Sequence, residues 1–154
     1  MNMTNEEIGG EWDTGNYQIL PEGYFKAVVK SAEAKVSNNG NDMVTCILNV
    51  EDDTFDGVTI YHHLVFKPEA DNFNTKKRRW FQASAGLPFQ LNDSKDSIAK
   101  LIVNRKLTIK VKTGKNRDGK EQNEIVGVHP YNWTDPNKNQ QTPDVDDDLG
   151  DTFL

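Results

Sequence analysis

The chain has 154 residues, the length of one ordinary domain, and can bury enough surface to fold without disulfides or a structural metal. Its single cysteine, Cys46, excludes an intramolecular disulfide and a cysteine-rich zinc site, and no apolar run approaches the length of a membrane span. Residues 1–16 lack the basic start and apolar run of a signal peptide, so a reducing cytoplasm is the expected location, and a formal net charge of -6, taken whole, argues against a polyanionic partner.

In chain order, residues 1–16 form an acidic segment with Glu6, Glu7, Glu11 and Asp13 and no base. Leu20-Pro21-Glu22-Gly23 is a turn signal. Beyond it Phe25, Ala27 and Val29 alternate with Lys26, Val28 and Lys30, the period of a first strand. The run Ser37 to Asn41 reads as a hairpin loop, and residues 43–50 as a second strand with Val44, Cys46, Leu48 and Val50 on its apolar face. A turn around Asp56-Gly57 leads to a third strand over residues 58–66, with Ile60, His62, Leu64 and Phe66 on one face and Thr59, Tyr61, His63 and Val65 on the other. The period then becomes helical. Phe73, Lys77, Trp80, Phe81 and Ser84 share one face, Asp71 or Asn72 can cap the start, and Gly86 suits the end. Residues 93–104 read as a shorter helix with Ile98, Leu101 and Ile102 inward. Residues 106–112 alternate again, with Lys106, Lys110 and Lys112 pointing out. A basic, glycine-bracketed loop carrying Lys115, Arg117 and Lys120 precedes a last strand over residues 124–129, stopped by Pro130.

From residue 134 to 148 the only apolar side chain besides proline is Val145, so residues 135–154 read as a disordered tail that cannot offset its ordering entropy. Its acids, Asp135, Asp144, Asp146, Asp147, Asp148 and Asp151, face one base, Lys138, and its tip carries Leu149, Phe153 and Leu154. A mere solubility appendage has no need of that apolar tip, which points to a docking peptide. The two ends carry net charges of -4 and -5; the remaining residues, 17–134, hold 14 of the 24 acids and 17 of the 18 bases, net +3. The whole-chain charge therefore conceals a mildly basic body.

Three strands, a helical insert and a closing hairpin form the element order of an OB-fold. The expected architecture is a mainly β, five-stranded barrel over residues 17–134 with the helical insert between strands 3 and 4. In that fold, the second and third strands and the loops between strands 1 and 2 and strands 4 and 5 make the ligand face. Here those positions offer Tyr61 and His63, flanked by the loop cations, which suits bases stacking on rings and phosphates meeting Lys and Arg. Lys26, Lys30, Lys106, Lys110 and Lys112 would form one basic stripe if strands 1 and 4 pair, although lysines also guard ordinary sheet edges. The run Lys76-Lys77-Arg78-Arg79 reads equally as a ligand surface or a solvated helix face. Trp80, in step with Phe73, reads more readily as core than as a platform. Tyr131 and Trp133 either cover the barrel end or stack bases, and Trp12 and Tyr17 stand open in the same way. Catalysis has little support: His62 and His63 point to opposite faces, Cys46 lies on the apolar face, and no nucleophile–base or phosphate-loop motif occurs. No cofactor is expected.

Leu20-Pro21-Glu22-Gly23-Tyr24, Asn39-Gly40-Asn41-Asp42-Met43, His63-Leu64-Val65-Phe66 with the aromatic helix, and the break Gly86-Leu87-Pro88 together resemble phage single-stranded DNA-binding proteins. The tip Asp146-Asp147-Asp148-Leu149-Gly150-Asp151-Thr152-Phe153-Leu154 resembles the acidic, Phe-containing tails of the bacterial and phage proteins of that kind. The resemblance implies an OB-fold, sequence-independent binding of single-stranded DNA in replication, recombination or repair, and a tail that recruits partner proteins through Asp146, Asp147, Asp148, Asp151, Phe153 and Leu154. Bacterial tails end in Phe after Pro; here Phe153 is penultimate and no Pro precedes it. The charge partition adds a further expectation, that the tail competes with DNA for the basic body. The alternative reading is a protein-interaction adaptor, or a DNA mimic that inhibits a host protein through its acidic ends. A carbohydrate-binding barrel is opposed only by the basic loop and stripe, and a nuclease has no acid cluster for metal. The sequence leaves DNA against RNA, and monomer against homo-oligomer, open.

Overall fold

The computed structural model describes residues 18–137. The acidic segment 1–16 with Trp12, the neighbouring Tyr17, and the tail from Lys138 onward, including its expected disorder and its docking tip, lie outside the described residues. Five strands and two helices follow in the order β1 (Gly23–Val36), β2 (Asp42–Glu51), β3 (Thr59–Val65), α1 (Phe73–Ser84), α2 (Lys95–Leu101), β4 (Lys106–Lys115) and β5 (Glu121–Pro130).

The strands form one antiparallel sheet in the order β3-β2-β1-β4-β5. β1 is the shared strand: it pairs with β2 over residues 26–36 and with β4 over residues 23–28. The register slips between Val29 and Ser31, so Lys30 is the extra residue of a bulge, and such bulges sharpen a strand's bend and twist. Just before the bulge the Val29 N–H donates to Arg105 O (2.9 Å) and the Asn104 N–H to Val29 O (2.7 Å). Asn104 takes φ 70°, a left-handed conformation that asparagine tolerates, and this turns α2 back into β4. Among the described residues the expected barrel is not closed: β3 and β5 are the two ends of the strand order and are not hydrogen-bonded to each other.

The alternation read from the sequence places the core correctly. Phe25, Ala27, Val29, Val44, Cys46, Leu48, Val50, Ile60, Leu64, Leu107, Ile109 and Val111 are all buried on one face, where Phe81, Ile98 and Ile102 of the helices meet them. Burial pushes the Cys46 thiol up to about 12, so it stays protonated and inert at neutral pH. Among the described residues no helix is long and apolar enough to cross a membrane.

Helix α1 has the expected limits, with Asn72 as cap: its side-chain Oδ1 accepts from the Asn74 N–H at 2.9 Å. Its inward face differs from the expected one. Thr75, Arg78, Phe81 and Gln82 are buried, whereas Phe73 and Trp80 are 66% and 52% exposed. The apolar stripe is thus rotated away from the aromatics because a charged residue takes a core position. The Arg78 guanidinium lies between the rings of Phe66 and Phe89 (4.3 and 4.4 Å to the centroids). It donates to Gln82 Oε1 (2.6 Å), Asp93 Oδ2 (3.1 Å), and the carbonyls of Gln90 and Leu91 (3.2 and 3.3 Å). In α2, Ile98 and Ile102 point inward as expected, but Leu101 is 51% exposed.

Candidate functional site

Cross-strand pairing sets the outer face of β1, β2 and β3 in rows: Ser31–Ile47–Tyr61, Glu33–Thr45–His63 and Lys35–Met43–Val65. Tyr61 is 46% exposed beside Ile47. His63 shares a 2.9 Å hydrogen bond between its Nδ1 and Thr45 Oγ1, which fixes the ring on the surface. Partial burial and the nearby Lys35 and Lys77 lower the His63 pKa, so the ring is neutral near pH 7 and offers a flat face rather than a charge.

His62 points the other way, its ring stacked 5.0 Å from that of Phe81. Burial first, then Lys77 and His63, lower its pKa to about 4. Above pH 6.5 the ring is neutral in both folded and unfolded chains. As pH falls from 6.5 towards 4, the unfolded chain takes up a proton that the folded chain does not, so stability is expected to fall through that window and level off below it. Urea midpoints measured between pH 7 and pH 4 check this, and His62→Asn should flatten the slope. Among the described residues no group of three or more His, Cys, Asp or Glu is placed to hold a metal ion.

Two clefts meet at His62 and Lys77. One, of about 560 Å³, lies between β3 and β5; Gln18 and Ile19 line it together with residues 59–63, Lys77 and residues 121–125. The other, of about 420 Å³, lies between α1 and β5; Phe73, Lys77 and Trp80 form one wall and residues 124–129 the other. They share His62, Lys77, Glu124 and Ile125, so they are continuous. The Lys77 ammonium sits 5.5 Å from the Phe73 ring centroid, and Lys76 and Arg79 are exposed on the same helix. At the far end His129 stacks on Trp133 (3.8 Å, 7° between ring planes), Trp133 packs on Tyr24 (4.8 Å), and Lys110 lies over Tyr24 (5.5 Å). Tyr61, Phe73, Trp80 and this three-ring cluster therefore mark out one surface, with Lys77 and Lys110 among the rings. Glu121 and Glu124 are acids within it, and they pair across the ladder with Lys115 and Lys112.

The sequence-predicted residues divide cleanly on this map. Tyr61, His63, Lys77, Trp80 and Trp133 line or border the surface, Lys76, Arg79 and Lys110 flank it, and Lys115, Arg117 and Lys120 are exposed on the β4–β5 hairpin. Asn116 shapes that hairpin by accepting from the Asp118 and Lys120 N–H groups (2.9 and 3.0 Å). Arg78, 1% exposed, is not on the surface at all. Lys26 is committed elsewhere: its ammonium donates to the Tyr131 carbonyl, to Thr108 Oγ1 (3.4 Å) and to the Trp133 carbonyl (3.4 Å), tying the segment after β5 onto β1. The Tyr131 ring is covered by Lys26 and Lys106 (4.8 and 5.3 Å), and its hydroxyl donates to Glu51 Oε1 (2.8 Å), a bond that raises its pKa. Tyr131 therefore closes the end of the sheet rather than offering a platform. Lys112 faces Glu124, and Lys30 stands in the bulge, so the expected lysine stripe is largely broken up. Three contributors escaped the sequence reading: Phe73, assigned to the core, and Tyr24 and His129. Alternation alone would have placed Tyr24 outward with Lys26.

The chain belongs to the DUF669 family, described as a protein family of unknown function, whose model matches residues 11–142. No curated protein matches it.

Proposed function

We propose that this DUF669 protein binds single-stranded DNA without sequence preference, in phage DNA replication, recombination or repair, within the cytoplasm of a bacterial host. The observation that carries this reading is the continuous surface holding Tyr61, Phe73, Trp80 and the Tyr24–His129–Trp133 cluster with Lys77 and Lys110 among them. Rings spaced along a groove stack on bases of any sequence, and each stack contributes ~1–3 kcal/mol, while the ammonium groups meet the phosphates between them. The strand order, with a shared β1 and a helical insert before the closing hairpin, supports reading the sheet as a partly open OB barrel, a fold whose second and third strands bear the ligand. The protein has no catalytic part in this reading.

Because the body is only mildly basic, stacking supplies much of the affinity. With roughly 3 to 5 phosphates neutralised, the logarithm of the oligo-dT affinity should fall against the logarithm of salt with a slope of roughly -2 to -3.5. Salt-independent binding, or equal affinity for duplex DNA, would overturn the reading.

The tail serves two roles in this proposal: its acids compete with DNA for the basic body, and DNA binding releases Phe153 and Leu154 to a replication or recombination protein. Removing residues 138–154 leaves the segment that Lys26 holds intact, and deletes five acids and one lysine. That deletion is expected to tighten oligo-dT binding, most at low salt, as measured by fluorescence anisotropy. Unchanged or weaker binding by the shortened chain removes the competition.

A further inference from the structure

An open edge on β1, away from both clefts, carries an inference independent of the nucleic-acid reading. β4 pairs with β1 only over residues 23–28, and Asn104 and Arg105 extend that contact no further than Val29. From Lys30 to Val36, β1 therefore pairs with β2 alone among the described residues. The hairpin fixes the direction of the free backbone groups. The Ser37 N–H donates to Asn41 O (2.8 Å) inside the turn, whereas the carbonyl of Asp42, the residue facing Val36, turns away from β1 to accept from the Phe66 N–H (2.9 Å). Val36 is thus a non-hydrogen-bonded position of the β1–β2 ladder, and by alternation so are Ala34 and Ala32. The N–H and C=O groups of these three residues point to the open side. Lys30, Ser31, Glu33, Lys35 and Val36 are exposed, Val36 by 57%, and none of them lines either cleft.

We propose that residues 32–36 form the interface of a two-fold symmetric dimer, in which β1 pairs antiparallel with β1 of a second copy and joins the two sheets. A two-fold axis at Ala34 places Ala34 opposite its own counterpart and Ala32 opposite the partner's Val36. The outward backbone groups of all three residues then exchange hydrogen bonds. The same register sets Glu33 against the partner's Lys35, twice, at non-hydrogen-bonded positions, where facing side chains come closest and opposite charges stabilise the pair. Moving the axis by one residue either way brings Glu33 onto Glu33 or Lys35 onto Lys35. The charge pattern therefore selects one register as well as one partner. Lysines on an edge ordinarily repel a neighbouring strand. Here Glu33, 3.6 Å from Lys35 in the same chain, makes the edge self-complementary instead. So short a contact buries less than a standard protein interface, and the dimer is expected to be reversible.

Sedimentation equilibrium of the full chain without nucleic acid, from about 1 µM to about 500 µM, tests this. A reversible monomer–dimer equilibrium is expected, and a monomer throughout overturns the proposal. Glu33→Lys and Lys35→Glu each replace both attractive pairs by repulsive ones, and each should raise the dissociation constant on the order of tenfold or more. Both side chains are exposed, so neither substitution should unfold the chain. An equimolar mixture of the two variants brings opposite charges together again and should restore dimers near the parent's affinity, as should one chain carrying both substitutions. Ala34→Pro, which removes an outward N–H and leaves the β1–β2 ladder intact, should leave only monomer. A dimer whose affinity ignores the single reversals, or reversals that the mixture does not rescue, would place the contact elsewhere and overturn the assignment.

Discussion

Trp80→Ala is expected to weaken oligo-dT binding by ~1–3 kcal/mol, roughly five- to 150-fold, with little change in stability. The indole is half exposed on α1, and its helix is anchored from the opposite side by Arg78, Phe81 and Gln82, so truncation removes a platform rather than a packing contact. Tyr61→Ala on β3 should cost a similar amount. The two residues stand on different elements joined by the shared cleft lining, and separate stacking sites add approximately, so the double variant is expected to lose ~2–6 kcal/mol. Anisotropy titrations at one fixed salt concentration measure this. The salt slope should stay unchanged, since neither substitution removes a charge. A Trp80→Ala variant that binds like the parent would remove α1 from the interface and confine the site to the β2–β3 face. Retained binding by Trp80→Phe would show that the loss reflects the ring's π-face rather than the indole N–H.

The contrast between α1 and the strands explains how much of the molecule was legible in advance. Strand alternation placed the inward residues of β1, β2, β3 and β4, because a period of two admits only two phases and the apolar residues chose one. A helix has many phases. Its phase was read from Phe73 and Trp80, the largest apolar side chains, on the assumption that the apolar stripe faces inward. That assumption fails where a cation is buried with its own partners. Nothing in Lys76-Lys77-Arg78-Arg79 singles out the third residue; its partners, Phe66, Phe89, Gln90 and Asp93, arrive from loops before and after the helix. The same limit applies to Lys26. Its outward position on β1 was legible, but the carbonyls of Tyr131 and Trp133 that occupy its ammonium lie more than a hundred residues away and meet it only through the fold. Conversely, the site's aromatics became readable as a surface only once α1 was turned to face them outward.

That rotation makes Arg78 the residue whose loss should be most damaging to stability. Arg78→Ala is expected to destabilise the fold by ~3–5 kcal/mol, the usual consequence of removing one partner of a buried ion pair. Three effects act together. The Asp93 carboxylate loses its cation while still bonded to Gln82 and the Gln90 N–H. The carbonyls of Gln90 and Leu91 lose their donors. A gap opens between Phe66 and Phe89, whose rings the guanidinium had separated and stacked against. Domains of this size have ~5–15 kcal/mol of stability in all, so the variant should lie near the threshold of folding. Arg78→Lys should recover only part of the loss, because an ammonium can neither stack between two rings nor bond four acceptors in one plane. By comparison, Lys76→Ala, two residues away and exposed, should change stability by less than ~0.5 kcal/mol. Urea unfolding of the three variants measures the difference. An Arg78→Ala chain with the parent's midpoint but weakened oligo-dT binding would return Arg78 to the DNA surface and refute the packing account of α1.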